Sequence, residues 1–155
     1  MVSYMVGCFY FKNPVKIVPS MKLTNFWKNL PGQWHFERFI ADEFMQSGVL
    51  NVEKLNSKFY KAHESGVYKN SNEQTFFRDY NFSWENGCLS IHGFNPKDGY
   101  VLLHNLNDTS RVHTHFCNKD EYQFELKEFS LNNWISVISI TGPKKNLKIK
   151  TNYKR

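Results

Sequence analysis

The chain has 155 residues, a net charge of +6 and an aromatic-rich composition with 14 Phe and 8 Tyr. That length suits one domain able to hold a core without staples, and no run nears the ~18 apolar residues of a membrane helix. The three cysteines (Cys8, Cys88, Cys117) lack disulfide-framework spacing, which suits a reducing, cytoplasmic setting, and the dispersed lysines argue against a nucleic-acid partner.

Residues 1–22 read as a loosely attached N-terminal extension broken by Pro14 and Pro19. Met1–Phe11 is moderately apolar but lacks the basic start and small-residue cleavage site of a signal peptide. Leu23, Phe26, Trp27 and Leu30 then fall on one helical face, with Thr24 as the expected cap and Pro31-Gly32 as the stop.

From Gly32 onward the pattern is strands and turns. Strands are expected near 33–40, 49–54, 57–64, 74–84, 88–94, 100–106, 111–117, 120–128, 133–141 and 146–154. The breaks carry turn chemistry: Gly48, Gly66, Asn86-Gly87, Asn95-Pro96-Lys97-Asp98-Gly99, Asn107-Asp108, Asn118-Lys119 and Gly142-Pro143. Short strands at even spacing in a chain poor in Ala predict an all-β fold. The expected domain, residues 23–155, is a closed antiparallel barrel of about 8–10 strands with a short helix over one end.

Alternation assigns the faces. Tyr122, Phe124 and Leu126 alternate with polar neighbours, as do Leu147, Ile149, Thr151 and Tyr153, so these sets point inward. The same count puts Arg38 in line with Trp34, Phe36 and Ile40, and Arg78 in line with Phe76, Tyr80 and Phe82. An arginine turned inward stays charged, so it must find an acid, a ring of acceptors or an anionic ligand.

A short helix before Gly32-Gln33-Trp34, with Arg155 closing the last strand, resembles the calycin superfamily of lipocalins and fatty-acid-binding proteins. The resemblance implies that Trp34 packs against Arg155 across the barrel floor. A closer resemblance spans about residues 23–155. It runs through Leu30-x-Gly32-x-Trp34-x-x-x-Arg38, Glu64-x-Gly66, Arg78-x-Tyr80 and His104. It continues through His115-x-Cys117-x-x-Asp120-x-Tyr122, Trp134, Gly142-Pro143-Lys144-Lys145 and Tyr153-x-Arg155. This is similar to the domain-of-unknown-function family 6314, which implies a lipocalin-like fold and brings no activity with it. Residues 1–22 have no counterpart there, and Ala62 stands where an aromatic is expected.

The interior polar residues suggest a site for a small anionic or amphipathic molecule. Arg38 and Arg78 would neutralise its head, and Tyr80, His104, His115 and Tyr122 would orient it. Phe36, Phe76, Phe82 and Phe124 would contact its apolar body. The competing structural reading pairs the arginines with Glu64 or Asp120. An alternative is an enzyme built on His115, Cys117 and Asp120, with His113 on the same strand face; a second is an interaction module on the basic outer surface. A two-residue loop at Asn118-Lys119 would pair Cys117 with Asp120 and His115 with Tyr122, turning the histidines inward to hydrogen-bond Tyr122 and Asp120. His113 and His115 would need a neighbour such as His104 to hold a metal. With no Cys-x-x-Cys or His-Glu-x-x-His, neither a metal nor a cofactor is assigned.

Overall fold

A computed structural model describes residues 21–69 and 74–155. The expected extension, with Pro14, Pro19 and Cys8, lies outside the described residues apart from Met21 and Lys22. Helix α1 (Leu23–Asn29) leads into ten strands: β1 (Gly32–Ile40), β2 (Glu43–Lys54), β3 (Phe59–Tyr68), β4 (Thr75–Glu85) and β5 (Cys88–Asn95). They continue as β6 (Gly99–Asn107), β7 (Val112–Cys117), β8 (Asp120–Phe129), β9 (Asn133–Thr141) and β10 (Asn146–Lys154).

The strands form one antiparallel sheet in the order β6-β5-β4-β3-β2-β1-β10-β9-β8-β7. β1 pairs with β10, for example Arg38 opposite Thr151, so the sheet curls round to bring first and last strands together. Its two ends, β6 and β7, meet side by side, but among the described residues no hydrogen-bonded ladder joins them. The barrel is thus nearly closed, with one seam where the expected closure is incomplete.

The two ends of the barrel differ. At the floor, α1 buries Leu23, Phe26 and Trp27, and Leu30 just after it is buried too. Trp27 stacks on Tyr60 with ring centroids 3.7 Å apart, and Phe26 meets Phe129 and Trp134 at 5.1 and 5.5 Å. The Arg155 guanidinium lies 3.8 Å from the Trp34 ring, and Arg155 donates to the Asn29 carbonyl, tying the chain's end to the end of α1. This is the floor contact implied by the calycin resemblance. The opposite end is formed by the Ala41-Asp42, Asn118-Lys119 and Gly142–Lys145 turns and by the β5–β6 hairpin.

Four local expectations need correction. Thr24 does not cap α1. The helix starts at Leu23, which is fully buried against the floor, and Asp108 of the β6–β7 loop accepts from the Leu23 N–H at 2.7 Å. Arg111 donates to the Met21 carbonyl, so the chain is anchored two residues before the helix. β2 begins at Glu43, six residues earlier than the Gly48 break suggested, because Ala41 and Asp42 both take positive φ (51° and 65°) in a two-residue turn. Nothing in an Ala-Asp pair announces that conformation as Asn-Gly would.

Gly48 and Gly66 are not breaks but a matched pair inside the β2–β3 ladder. A Cβ on Gly48 would stand 2.0 Å from the Ser65 carbonyl oxygen, and one on Gly66 would stand 2.4 Å from that of Ser47. Only glycine lets the two backbones approach this closely. Gly48→Ala is therefore expected to cost about 1–3 kcal/mol or more, because backbone rather than a flexible side chain must yield. Urea unfolding followed by tryptophan fluorescence measures it.

Candidate functional site

β1 carries Arg38 to the middle of the wall, where it is 6 % exposed. Its neighbours supply its acceptors. Nη1 and Nη2 donate to Glu64 Oε1 and Oε2 at 3.0 and 2.8 Å, Nη1 also donates to Gln46 Oε1 at 2.8 Å, and Nε donates to Thr151 Oγ1 at 3.0 Å. The two-pronged contact with a carboxylate is the strong form of this bond. Burial works against the Arg38 charge, but Tyr153 and the hydrogen bond and charge of Glu64 outweigh it, so its pKa lies above the ordinary arginine value. Of the two interior arginines, Arg38 is the one whose charge the protein itself answers at close range.

Arg78 differs. β4 places it opposite Glu64, yet its side chain is 49 % exposed and its Nη1 lies 3.9 Å from Glu64 Oε1. Parity set its face correctly, but depth along the barrel leaves it near the open end. Asp120, the other acid offered as partner, pairs instead with Lys145 Nζ at 2.9 Å across the rim. Two guanidiniums therefore share one carboxylate, Glu64.

Between these residues lies a cavity of about 650 Å3. Arg38, Arg78, Tyr80 and His104 from the expected site all line it, with Phe82, Phe124, Ile91 and Ile138 as apolar walls. Phe36 and Phe76 lie outside the lining and pack on each other, centroids 6.2 Å apart. Asp79 touches the rim, but its carboxylate contacts His63 Nδ1 at 2.6 Å. Burial, with the Glu64 charge adding to it, raises the pKa of Tyr80; burial and Glu64 do the same for Tyr153, so both phenols stay protonated at neutral pH.

Sequence reasoning turned Tyr153 inward without giving it a part in the site, and did not single out Trp134 or Ser136, yet all three line the cavity. Trp134 stacks on Tyr153 at 3.6 Å, and its Nε1 is buried with no hydrogen-bond partner. An unpaired buried donor in a cavity wall offers a bond to an occupant. The signal was available in the alternation Trp134, Ser136, Ile138, which shares one face of β9.

The remaining expected residues lie at the seam beside this cavity. The two-residue loop forms as expected, with Asn118 at φ 57°, and pairs Cys117 with Asp120 and His115 with Tyr122. His115 stacks on Tyr122, centroids 5.2 Å apart and nearly parallel, and His104 stacks on Phe124 at 3.9 Å. The expected hydrogen bonds from the histidines to Tyr122 and Asp120 are replaced by this stacking and by the Lys145–Asp120 pair. Burial, with His113 and His115 close by, pushes the His104 pKa down to about 3, so its ring is neutral at physiological pH. Cys117 is exposed beside the turn, and among the described residues no hydrogen bond joins it to a histidine.

Residues 30–155 match DUF6314, a family of unknown function. No curated protein matches the sequence significantly. Among solved structures, the S-type phycobiliprotein lyase from Guillardia theta is similar, with TM-score 0.57 and 9% identity over 87% of this chain and 93% of that one. A redesigned β-barrel bound to DFHBI has TM-score 0.51 and 11% identity over 83% and 97%. Another redesigned barrel has TM-score 0.52 and 12% identity over 88% and 97%. At these identities the likeness is one of fold.

Removing Glu64 leaves Arg38 buried and unpaired, so Glu64→Ala is expected to cost about 3–5 kcal/mol. Arg78→Met loses a long ion contact with Glu64 and half-exposed contacts with the Phe76 ring and Tyr80, and should change stability by less than about 1 kcal/mol. Parallel urea titrations of the two variants measure the contrast.

Proposed function

The chain belongs to the DUF6314 family, and we propose that it binds a small molecule with an apolar body and an anionic head inside the barrel. The observation that carries this reading is the charge balance of the cavity. Arg38 and Arg78 face it, Glu64 answers them, and Glu64 already spends both oxygens on Arg38. Asp79, at the rim, is turned to His63, so the Arg78 guanidinium is left without a close carboxylate, on a half-exposed side chain at the entrance.

The rest of the lining agrees with that head-and-body division. Apolar walls with few polar anchors, enclosing about 650 Å3, fall in the range of small-molecule sites. Arg78 would pair with the head, the Tyr80 hydroxyl would add a hydrogen bond, and Trp134 Nε1 would donate to an acceptor deeper in. Phe82, Phe124, Ile91 and Ile138 would enclose the body. His115 and Tyr122, off the cavity lining, would act only by holding His104 and Phe124 in place. A redesigned barrel of similar fold is itself bound to DFHBI.

The probe is anilinonaphthalene sulfonate, an aromatic body with one sulfonate, titrated by fluorescence at neutral pH. Saturable binding at one site is expected, weakened by about 10–100-fold in Arg78→Met, the range for losing a hydrogen bond to a charged group. Phenylnaphthylamine, which lacks the sulfonate, should bind wild type and variant alike. Equal sulfonate affinity in both proteins, or no saturable binding, would overturn the proposal.

A further inference from the structure

β6 and β7 follow one another in sequence, yet they do not zip together as a hairpin. The Asn107 and Ser110 backbones exchange hydrogen bonds at 2.9 and 3.2 Å across the loop, and beyond them no ladder forms among the described residues. β7 instead pairs fully with β8, and β6 with β5. Three imidazoles sit across the resulting seam. His104 comes from β6, and His113 and His115 come from one face of β7.

Their geometry is close to an equilateral triangle. Ring centroids lie 6.2 Å apart for His104–His113, 6.3 Å for His104–His115 and 6.0 Å for His113–His115. One ring nitrogen from each lies within 4.8 Å of those of the other two. In all three rings Nδ1 is buried without a hydrogen-bond partner. Buried polar atoms normally find a partner, so each of these three clustered rings keeps a nitrogen whose bonding capacity the protein leaves unused.

We propose that His104, His113 and His115 form a three-imidazole site for a divalent transition-metal ion of the zinc class, which clasps the seam between β6 and β7. The donor set chooses the class. Imidazole nitrogen suits zinc and its first-row neighbours, whereas calcium and magnesium demand oxygen ligands. Metal–nitrogen bonds of about 2.0–2.1 Å set tetrahedral ligand nitrogens roughly 3.4 Å apart, so modest side-chain rotations from the observed spacing close the site. Three protein ligands leave a fourth position for water or another small donor. The acids nearest in sequence are engaged elsewhere: Asp108 accepts from the Leu23 N–H and Asp120 is held by Lys145. The inference rests on the seam alone and does not depend on the ligand reading of the cavity.

The test uses full-length protein stripped with a chelator and titrated calorimetrically with Zn2+, with Co2+ as a spectroscopic substitute. One equivalent of Zn2+ is expected to bind, and Co2+ should give the visible absorption of a four-coordinate ion. The melting temperature should rise with Zn2+ concentration, because an ion bound only by the folded state stabilises it by mass action. His113→Gln and His115→Gln, both partly exposed positions, should each weaken Zn2+ by more than the about 10–100-fold that loss of an outer partner costs. Both should keep the wild-type circular dichroism of the apo-protein. His63→Gln, on the outer face, should leave Zn2+ affinity unchanged. No binding tighter than millimolar, or binding that survives both β7 substitutions, would overturn the proposal; loss on His63→Gln would do the same and assign the ion to the His63–Asp79 pair.

Discussion

An arginine in the middle of a barrel wall cannot discharge, so the wall around it must be arranged to keep its charge tolerable. Arg38 imposes this on four strands at once. Glu64 comes from β3, Gln46 from β2 and Thr151 from β10, each meeting a different edge of the same guanidinium. Each acceptor sits on the inner face only in the observed register, and a one-residue slip would turn it to the outside. The polar cluster thus fixes strand alignment in the half of the barrel where β1 closes on β10. Its second consequence is at the entrance, where Glu64 has little left for Arg78, and the surplus charge there follows from the demand in the wall.

Stability and opportunity are assigned to opposite ends. The floor is filled by α1, Trp27 on Tyr60, Phe26 against Trp134, and the Arg155–Trp34 contact, all burying large aromatic surfaces where alternative packings are few. The mouth is built from short turns and half-exposed side chains, and the cavity reaches it past Arg78 and Phe94. A barrel plugged at one end can leave its interior partly empty without collapsing, because strand number and stagger set its diameter.

What the sequence made legible was what alternation encodes. Ten strands, the inward faces of β1, β4, β8 and β10, and the Asn118-Lys119 turn follow from period-two patterning and from turn residues with a positive-φ habit. Where the structure departs, the missing information was of another kind. Ala41-Asp42 carries no such habit, so the start of β2 was hidden. Gly48 and Gly66 resemble punctuation in one dimension and become a close contact only when β2 and β3 are laid side by side. Parity put both arginines on the inner face but is blind to depth, so it could not separate saturated Arg38 from half-exposed Arg78. Capping of α1 by Asp108, 85 residues away, has no local signature at all.

The histidine seam shows the same limit from the other side. His113 and His115 share a face by simple counting, but His104 joins them only because the sheet's two ends meet. An unzipped strand pair exposes backbone donors and acceptors, a liability that sheets normally remove by pairing or covering the edge. Here the gap is spanned by side chains that stack on Phe124 and Tyr122 while keeping nitrogens unspent. Hydrophobic residues could have filled the space at lower polar cost, since each orphaned buried nitrogen forgoes a bond it would have had in water. Three such residues clustered at the one place where the backbone ladder is missing make sense as a connection completed by a partner that a chain of amino acids cannot itself provide.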